Sequence, residues 1–264
     1  MIFADINDTS IEAIEASKSF FGKISIKKIN RIEIQPGEKW EQKITSLLTS
    51  KEISFTIPDT KSYTIRLKLP LKSSESEILN KALEIIPNSA SEIVYDFKRL
   101  PAEILFTAAL KSHIETSIKS FQALKIKPVL AIPESIAIFE IIKSQIQQKR
   151  VLYVDVGAIT STVSLHDRFG PVLSVSEPVQ TQKLEQEINK FLIYSVEKII
   201  LGGGNSINLD PNQLANAVKI PVMKADGILS KIFSPSGASP QVLFLNCYGL
   251  ILYSKNRPEI NLLT

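Results

Sequence analysis

The chain has 264 residues, 44% of them apolar, and a net charge of +4. That length suffices for one large or two modest domains, each with its own core. So mild a positive excess points to no particular partner, and to no nucleic acid. A lone cysteine, Cys247, excludes an internal disulfide and fits a reducing compartment.

The first part alternates in short strands. "MIFADI", "IEAIEAS" and "KISIKKINRIEI" carry period-2 stretches rich in Ile. The basic residues gathered between Lys18 and Arg31 read as a solvated hairpin face, with an anionic lipid surface or acidic partner as the alternative. "KWEQKITSLLTS" has helical spacing at Trp40, Ile44, Leu47 and Leu48, "EISFTIP" is a strand, and "YTIRLKLP" is a strand with Tyr63, Ile65, Leu67 and Leu69 on one face. Ser74 followed by Glu77 is a capping-box signature for a helix over "SESEILNKALEIIP". Two strands ("EIVYDFKRL", "EILFTAAL"), an amphipathic helix ("KSHIETSIKSFQAL") and a strand ("KPVLAIP") follow, so residues 71–132 read as a small α+β module. "ESIAIFEIIKSQIQQ" is a helix returning to the main body.

From Arg150 the strand–turn–strand rhythm restarts with "RVLYVDVG", "STVSLHD" and "PVLSVSEP". Then come a helix ("QKLEQEINKFLIYS"), the strand "KIILGGG", a helix capped by Asp210 with Pro211 in its first turn, a loop "SPSGASP", and the apolar helix "VLFLNCYGLILYS". That last run is shorter than the roughly 20 residues a bilayer span needs, and the N-terminus lacks the pattern of a signal peptide. Cys247, within it, reads as a buried small hydrophobe. His113 and His166 are far apart and lack a placed nucleophile, so neither a zinc site nor triad chemistry is expected.

Two stretches carry the functional signal. "FADINDTSIEAIE" and "LYVDVGAITSTVSL" are each an apolar strand ending in Asp, a turn, and a Thr/Ser run, which suggests an internal duplication. In the second, Asp155 can hold a divalent cation through water. Gly157 and Ala158 let backbone approach phosphate oxygens, and the hydroxyls of Thr160, Ser161 and Thr162 can help cradle them. Gly202, Gly203 and Gly204 follow a strand, where Cβ-free backbone can lie against a base or ribose.

A D-x-G-x-x-T-x-T hairpin followed downstream by L-x-G-G-G is the layout of the actin, sugar-kinase and heat-shock ATPase fold. Within it the chain resembles the PilM family of type IV pilus proteins, with the related GspL of type II secretion and FtsA. In that family the first loop looks like "DIGSSSIK", the second like "DIGASTT" and the adenosine loop like "LTGGGA". "ALEIIPNSASEIVYDFKRL", "VLAIPESIAIF" and "GLILY" are also similar to its segments, so the resemblance covers most of the chain. It implies an α/β, actin-like (ribonuclease H-like) duplicated fold. The first half begins over 1–70, a small α+β subdomain is inserted at 71–132, a helix at 133–149 returns to the first half, and a shortened second half spans 150–256. The nucleotide positions implied are Asp5, Asp155, Gly157, Thr160, Thr162, Gly202, Gly203 and Gly204.

The chain departs from the pattern in two places. Asn7 stands at the family Gly, Asp8 at a Ser and Glu12 at the usual Lys. A carboxylate about 4 Å from a phosphate charge repels it by roughly 4 kcal/mol at an effective dielectric of ~20. Between "VSEPV" and "KIILGGG", where the family inserts a fourth subdomain that walls the adenine pocket, there is sequence for one helix. The nucleotide site is therefore expected to be vestigial, with no catalytic residues, no metal and no cofactor; ATP with Mg as a conformational ligand is the alternative, and a sugar kinase a third reading.

The tail, 257–264, contains Ile260, Asn261, Leu262 and Leu263. This "INLL" resembles the cytoplasmic start of PilN, the family's membrane partner, and GspL fuses the two parts in one chain. The resemblance thus implies a cytoplasmic, non-catalytic adaptor at the inner face of the membrane. It would bind a PilN-like tail and other pilus or secretion proteins, with homodimerisation left open.

Overall fold

The structure is a computed structural model that describes every residue except 8, 19–23, 36, 37, 39, 45–49, 158, 159, 179–183, 234–241, 257 and 264. Asp8, Leu47, Leu48, Ala158 and the loop 234–240 thus lie outside the described residues. Contacts divide the chain into two compact units, Met1–Ala137 with Asn246–Thr264, and Ile138–Leu245.

The first unit opens with strands β1 (Ile2–Ile6), β2 (Ser10–Lys18) and β3 (Ile24–Glu33), helix α1 (Trp40–Ile44) and strand β4 (Glu52–Ile57). After β5 (Ser62–Leu67), α2 (Glu75–Leu83), β6 (Ile93–Arg99), β7 (Ile104–Leu110) and α3 (Lys111–Ala123), strand β8 (Lys127–Pro133) leads into α4 (Glu134–Ile142). The larger sheet has the order β3-β2-β1-β4-β8. Its first three strands pair antiparallel and β1-β4-β8 pair parallel. Parallel strands need both faces covered, and the apolar runs of β1 and β4 meet that need. Ile2, Ala4, Ile53, Phe55 and Ile57 share one core with Ile114 and Phe121 of α3.

The second unit repeats this plan with β9 (Arg150–Val156), β10 (Thr160–Asp167), β11 (Gly170–Pro178), α5 (Leu184–Phe191), β12 (Val196–Gly202), α6 (Pro211–Val218), β13 (Val222–Lys224) and α7 (Asp226–Ile232). Its order, β11-β10-β9-β12-β13, has the same succession of antiparallel and parallel pairs as the first sheet. The duplication expected from two hairpins therefore extends to whole sheets. One α-helix, α5, and a 3-10 turn at Leu192–Tyr194 are described between β11 and β12. The chain then runs through α8 (Leu245–Lys255). No helix among the described residues is long and apolar enough to cross a membrane.

The sheets cut across the expected module of 71–132. A second sheet, β5-β7-β6, takes β5 from before residue 71, because Tyr63, Ile65, Leu67 and Leu69 pack with Ile78, Ile104 and Phe106 into one small core. β8, at the module's expected end, instead pairs with β4 in the larger sheet, and α3 serves the larger sheet's core. The helix α8 likewise falls from Asn246 onward in the first unit rather than in a second half running to 256. Strand pairing, which no local pattern encodes, decides these memberships. The capping box on α2 forms as expected, with Ser74 Oγ accepting from Glu77 N–H and the Glu77 carboxylate accepting from Ser74 N–H. Asp210 caps α6 and Pro211 opens it.

Candidate functional site

In the first unit, Asp5 is the next-to-last residue of β1 and is buried. Its carboxylate accepts from Thr56 Oγ1 of β4 at 2.5 Å and from Asn246 Nδ2 of α8 at 2.9 Å. Burial pushes this carboxyl above its usual range, against the pull of those two donors. Asp5 thereby fastens the first strand to the last helix, and Asn246, which the sequence did not single out, is the partner that does it.

The turn after Asp5 fills itself. Asn7 Oδ1 accepts from the N–H groups of Thr9 and Ser10 at 3.0 and 2.9 Å, and from the Thr9 and Ser10 hydroxyls at 2.9 and 3.2 Å. Side chains of Asn commonly bond the backbone two or three residues on. Here the amide oxygen gathers hydroxyl and backbone donors of the kind that cradle a phosphate. Glu12, directly across the ladder from Asp5, is buried and accepts from Arg31 Nε at 2.9 Å. Its carboxyl is pushed up to about 7, chiefly by burial and then by the Asp5 charge, with Ser10 and Arg31 opposing. Cys247 is fully buried and its thiol donates to the Glu12 carbonyl at 3.3 Å; burial raises that thiol well above its ordinary range, consistent with packing rather than nucleophilic use.

In the second unit, three expected residues line up across neighbouring strands. Asp155 of β9 pairs with Thr162 of β10 on one side and with Gly202 of β12 on the other. Gly203, at φ +81°, passes over the carboxylate: a Cβ there would lie 2.3 Å from Asp155 Oδ1 and 2.7 Å from the Val156 backbone. A Cβ on Gly202 would run into the Tyr153 hydroxyl, which donates to Asp155 Oδ2 at 3.0 Å. Gly157 N–H donates to the Thr160 carbonyl at 3.1 Å in a turn with no room for a side chain. A Gly204 Cβ would meet the end of the Leu243 side chain. Thr162 Oγ1 lies 2.8 Å from Ser176 Oγ on β11. Asn205 Nδ2 donates to the Gly157 carbonyl at 2.8 Å, joining the two glycine turns. Tyr153 and Asn205 escaped the sequence reading because neither belongs to a Gly or Asp signature. Among the described residues, no group of three or more His, Cys, Asp or Glu is placed to hold a metal ion.

The tail residues come together with two edge strands of the first unit. β8 is one edge of the larger sheet and β6 one edge of the smaller. Asn261 works as a bracket between them. Its backbone N–H donates to Asp96 Oδ2 of β6 at 2.8 Å, its Oδ1 accepts from Ala131 N–H of β8 at 3.1 Å, and its Nδ2 donates to the Val129 carbonyl at 3.3 Å. Leu262 N–H donates to the Ala131 carbonyl at 3.0 Å. Ile260 and Leu262 are each 1% exposed, and Leu262 joins the core of the larger sheet, with Leu263 packed against it. Glu259 forms an ion pair with Lys98 of β6. The Tyr253 hydroxyl of α8 accepts from Ile260 N–H at 2.8 Å, which sets the entry of the segment.

No protein-family model and no curated protein matches this chain. Solved structures do. The chain is similar to the PilM-PilN type IV pilus biogenesis complex at a TM-score of 0.77 and 15% identity, covering 97% of this chain and 98% of that one. It is also similar to the cytoplasmic domain of EpsL, an inner-membrane component of the type II secretion system of Vibrio cholerae. There the TM-score is 0.63 and the identity 9%, with 100% and 97% covered. A protein with an actin-like ATPase fold from Bacteroides thetaiotaomicron matches at 0.58 and 11%, covering 84% of this chain and 89% of that one. The chain therefore has an actin-like fold, shared with components of pilus and secretion systems.

Proposed function

We propose that this protein is a non-catalytic adaptor of a pilus- or secretion-type assembly at the inner face of the cytoplasmic membrane. Its working surface is the groove between β8 and β6, and its ligand is an extended segment of I-N-L-L type at the cytoplasmic start of a PilN-like membrane protein. The observation that carries this reading is the seating of residues 259–263. An edge strand recognises extended peptide through backbone hydrogen bonds, with alternate side chains filling pockets for specificity. Ile260 and Leu262 fill such pockets, and Asn261 sets the register between them.

The nucleotide positions support the same reading. Asn7 already takes up the donors of the first turn. Gly157, Gly202 and Gly203 each have a packing reason that requires no ligand. We read that site as vestigial. Gly157 and the Gly203 turn over Asp155 remain compatible with the second reading, in which ATP with Mg acts as a conformational ligand.

Two measurements test the proposal. Calorimetric titration of nucleotide-free protein with Mg-ATP is expected to give neither heat nor thermal stabilisation up to millimolar ligand; micromolar binding overturns the vestigial site. Fluorescence anisotropy with a labelled peptide, PEINLLT, is expected to show saturable binding to the full chain carrying Asn261→Ala and Leu262→Ala. No binding to that chain overturns the groove as a recognition surface.

A further inference from the structure

We propose that residues 259–263 are a built-in competitor: they plug the groove in cis and must leave before a segment of the same chemistry from another chain can enter. This inference rests on the groove being the recognition surface and adds its regulation.

The groove has one set of hydrogen-bonding groups, and the tail uses it. The N–H and the carbonyl of Ala131 on the β8 edge are both committed, to Asn261 Oδ1 and to Leu262 N–H. The Val129 carbonyl and the Asp96 carboxylate on the two walls are also engaged by Asn261. Ile260 and Leu262 occupy the apolar space. An incoming extended peptide needs the same atoms, so the two occupants exclude each other.

The tail is also attached in a way that allows it to leave. It is not part of the β8 ladder over any length. It makes one backbone–backbone bond to β8, from Leu262, and completes the pairing with the Asn261 carboxamide in place of a peptide group. A short connection from the end of α8 tethers it, steered by Tyr253. Release requires no strand of either sheet to separate. The chemistry of the displacing segment can be read from the plug: an Asn flanked by aliphatic residues, preceded two positions earlier by an acidic residue that meets Lys98.

A short tether holds its ligand at an effective concentration on the order of millimolar. A peptide with an intrinsic Kd of about 10 μM would then bind the plugged chain about 100-fold more weakly than an open one. The probe is the labelled PEINLLT peptide, titrated by anisotropy into the wild-type full chain and into the Asn261→Ala, Leu262→Ala chain. Binding to the variant tighter by at least about 10-fold supports the plug. Equal affinities overturn the plug while leaving the groove reading intact, and absence of binding to either chain overturns both. A second measurement needs no variant. In the isotopically labelled wild type, saturating unlabelled peptide should accelerate hydrogen exchange at the Leu262 amide; unchanged protection with peptide bound overturns the plug.

Discussion

Replacing Glu12 by Gln removes a carboxylate that pairs with Arg31, yet it is expected to stabilise the protein at alkaline pH. Glu12 faces Asp5 directly across the β1–β2 ladder, and both are buried. Like charges placed so are unfavourable, and burial adds to the cost of the charged form. The rise of the Glu12 carboxyl from 4.5 to about 7, at about 1.4 kcal/mol per tenfold change in proton affinity, amounts to about 3 kcal/mol. The native state holds this proton more tightly than the unfolded chain does. Stability from this group is therefore complete below about pH 4.5 and is lost as pH rises through about 7. Arg31 is one of the groups that oppose the rise of the Glu12 carboxyl, so the loss of its ion pair is already contained in that figure. Glu12→Gln should thus be more stable than wild type by roughly 3 kcal/mol at pH 8 and no more stable at pH 4.5. Urea denaturation at several pH values between 4.5 and 8 measures this, with the m-value as a check on two-state behaviour. Wild-type and variant stabilities that run parallel with pH, or a variant weaker than wild type at pH 8, would refute the buried-pair account.

Four further substitutions test other parts of the structure. Asn7→Ala leaves the Thr9 and Ser10 N–H groups without their acceptor and should lower the urea-derived stability by about 1–2 kcal/mol. Ser74→Ala removes the capping box of α2 and should cost about 1 kcal/mol, seen as a lower urea midpoint at constant m-value. Gly203→Ala meets Asp155 and the Val156 backbone at a positive φ, whereas Gly204→Ala meets a leucine methyl at 2.9 Å. The first should destabilise by about 2 kcal/mol or more and the second by less, compared by thermal midpoints.

Much of this fold could be read from local pattern, and the failures have a common cause. The Ile-rich alternation of β1 to β3, the Ser74–Glu77 cap and the Asp210–Pro211 start are chemistry within a few residues, and each forms where it was expected. The three-residue β13 is too short to show a period, and α7 was missed with it. The sheet membership of β5 and β8 depends on partners about 40 to 75 residues away, roughly the reach of the inserted segment. At the first loop the sequence registered Asn7 only as a departure from Gly. That its amide oxygen would gather the loop's own donors depends on a backbone path that one residue type does not specify. Tyr153, Asn205 and Asn246 were missed because their roles arise from what stands opposite them. The tail was legible as a segment, but its pairing with β8 and β6 was not.

The division of the chain also bears on synthesis. The first unit is discontinuous: residues 1–137 are completed by 246–264, while Ile138–Leu245 is one uninterrupted stretch. The bond from Asn246 to Asp5 closes across 241 residues. Domains tend to fold as units during translation, N-terminal first. Here that order is inverted: the unit that begins first must wait for the last helix, while the later one has all its residues sooner. Until α8 emerges, Asp5 lacks its Asn246 partner, and until residues 261 and 262 follow it, the β8 edge lacks the groups that occupy it.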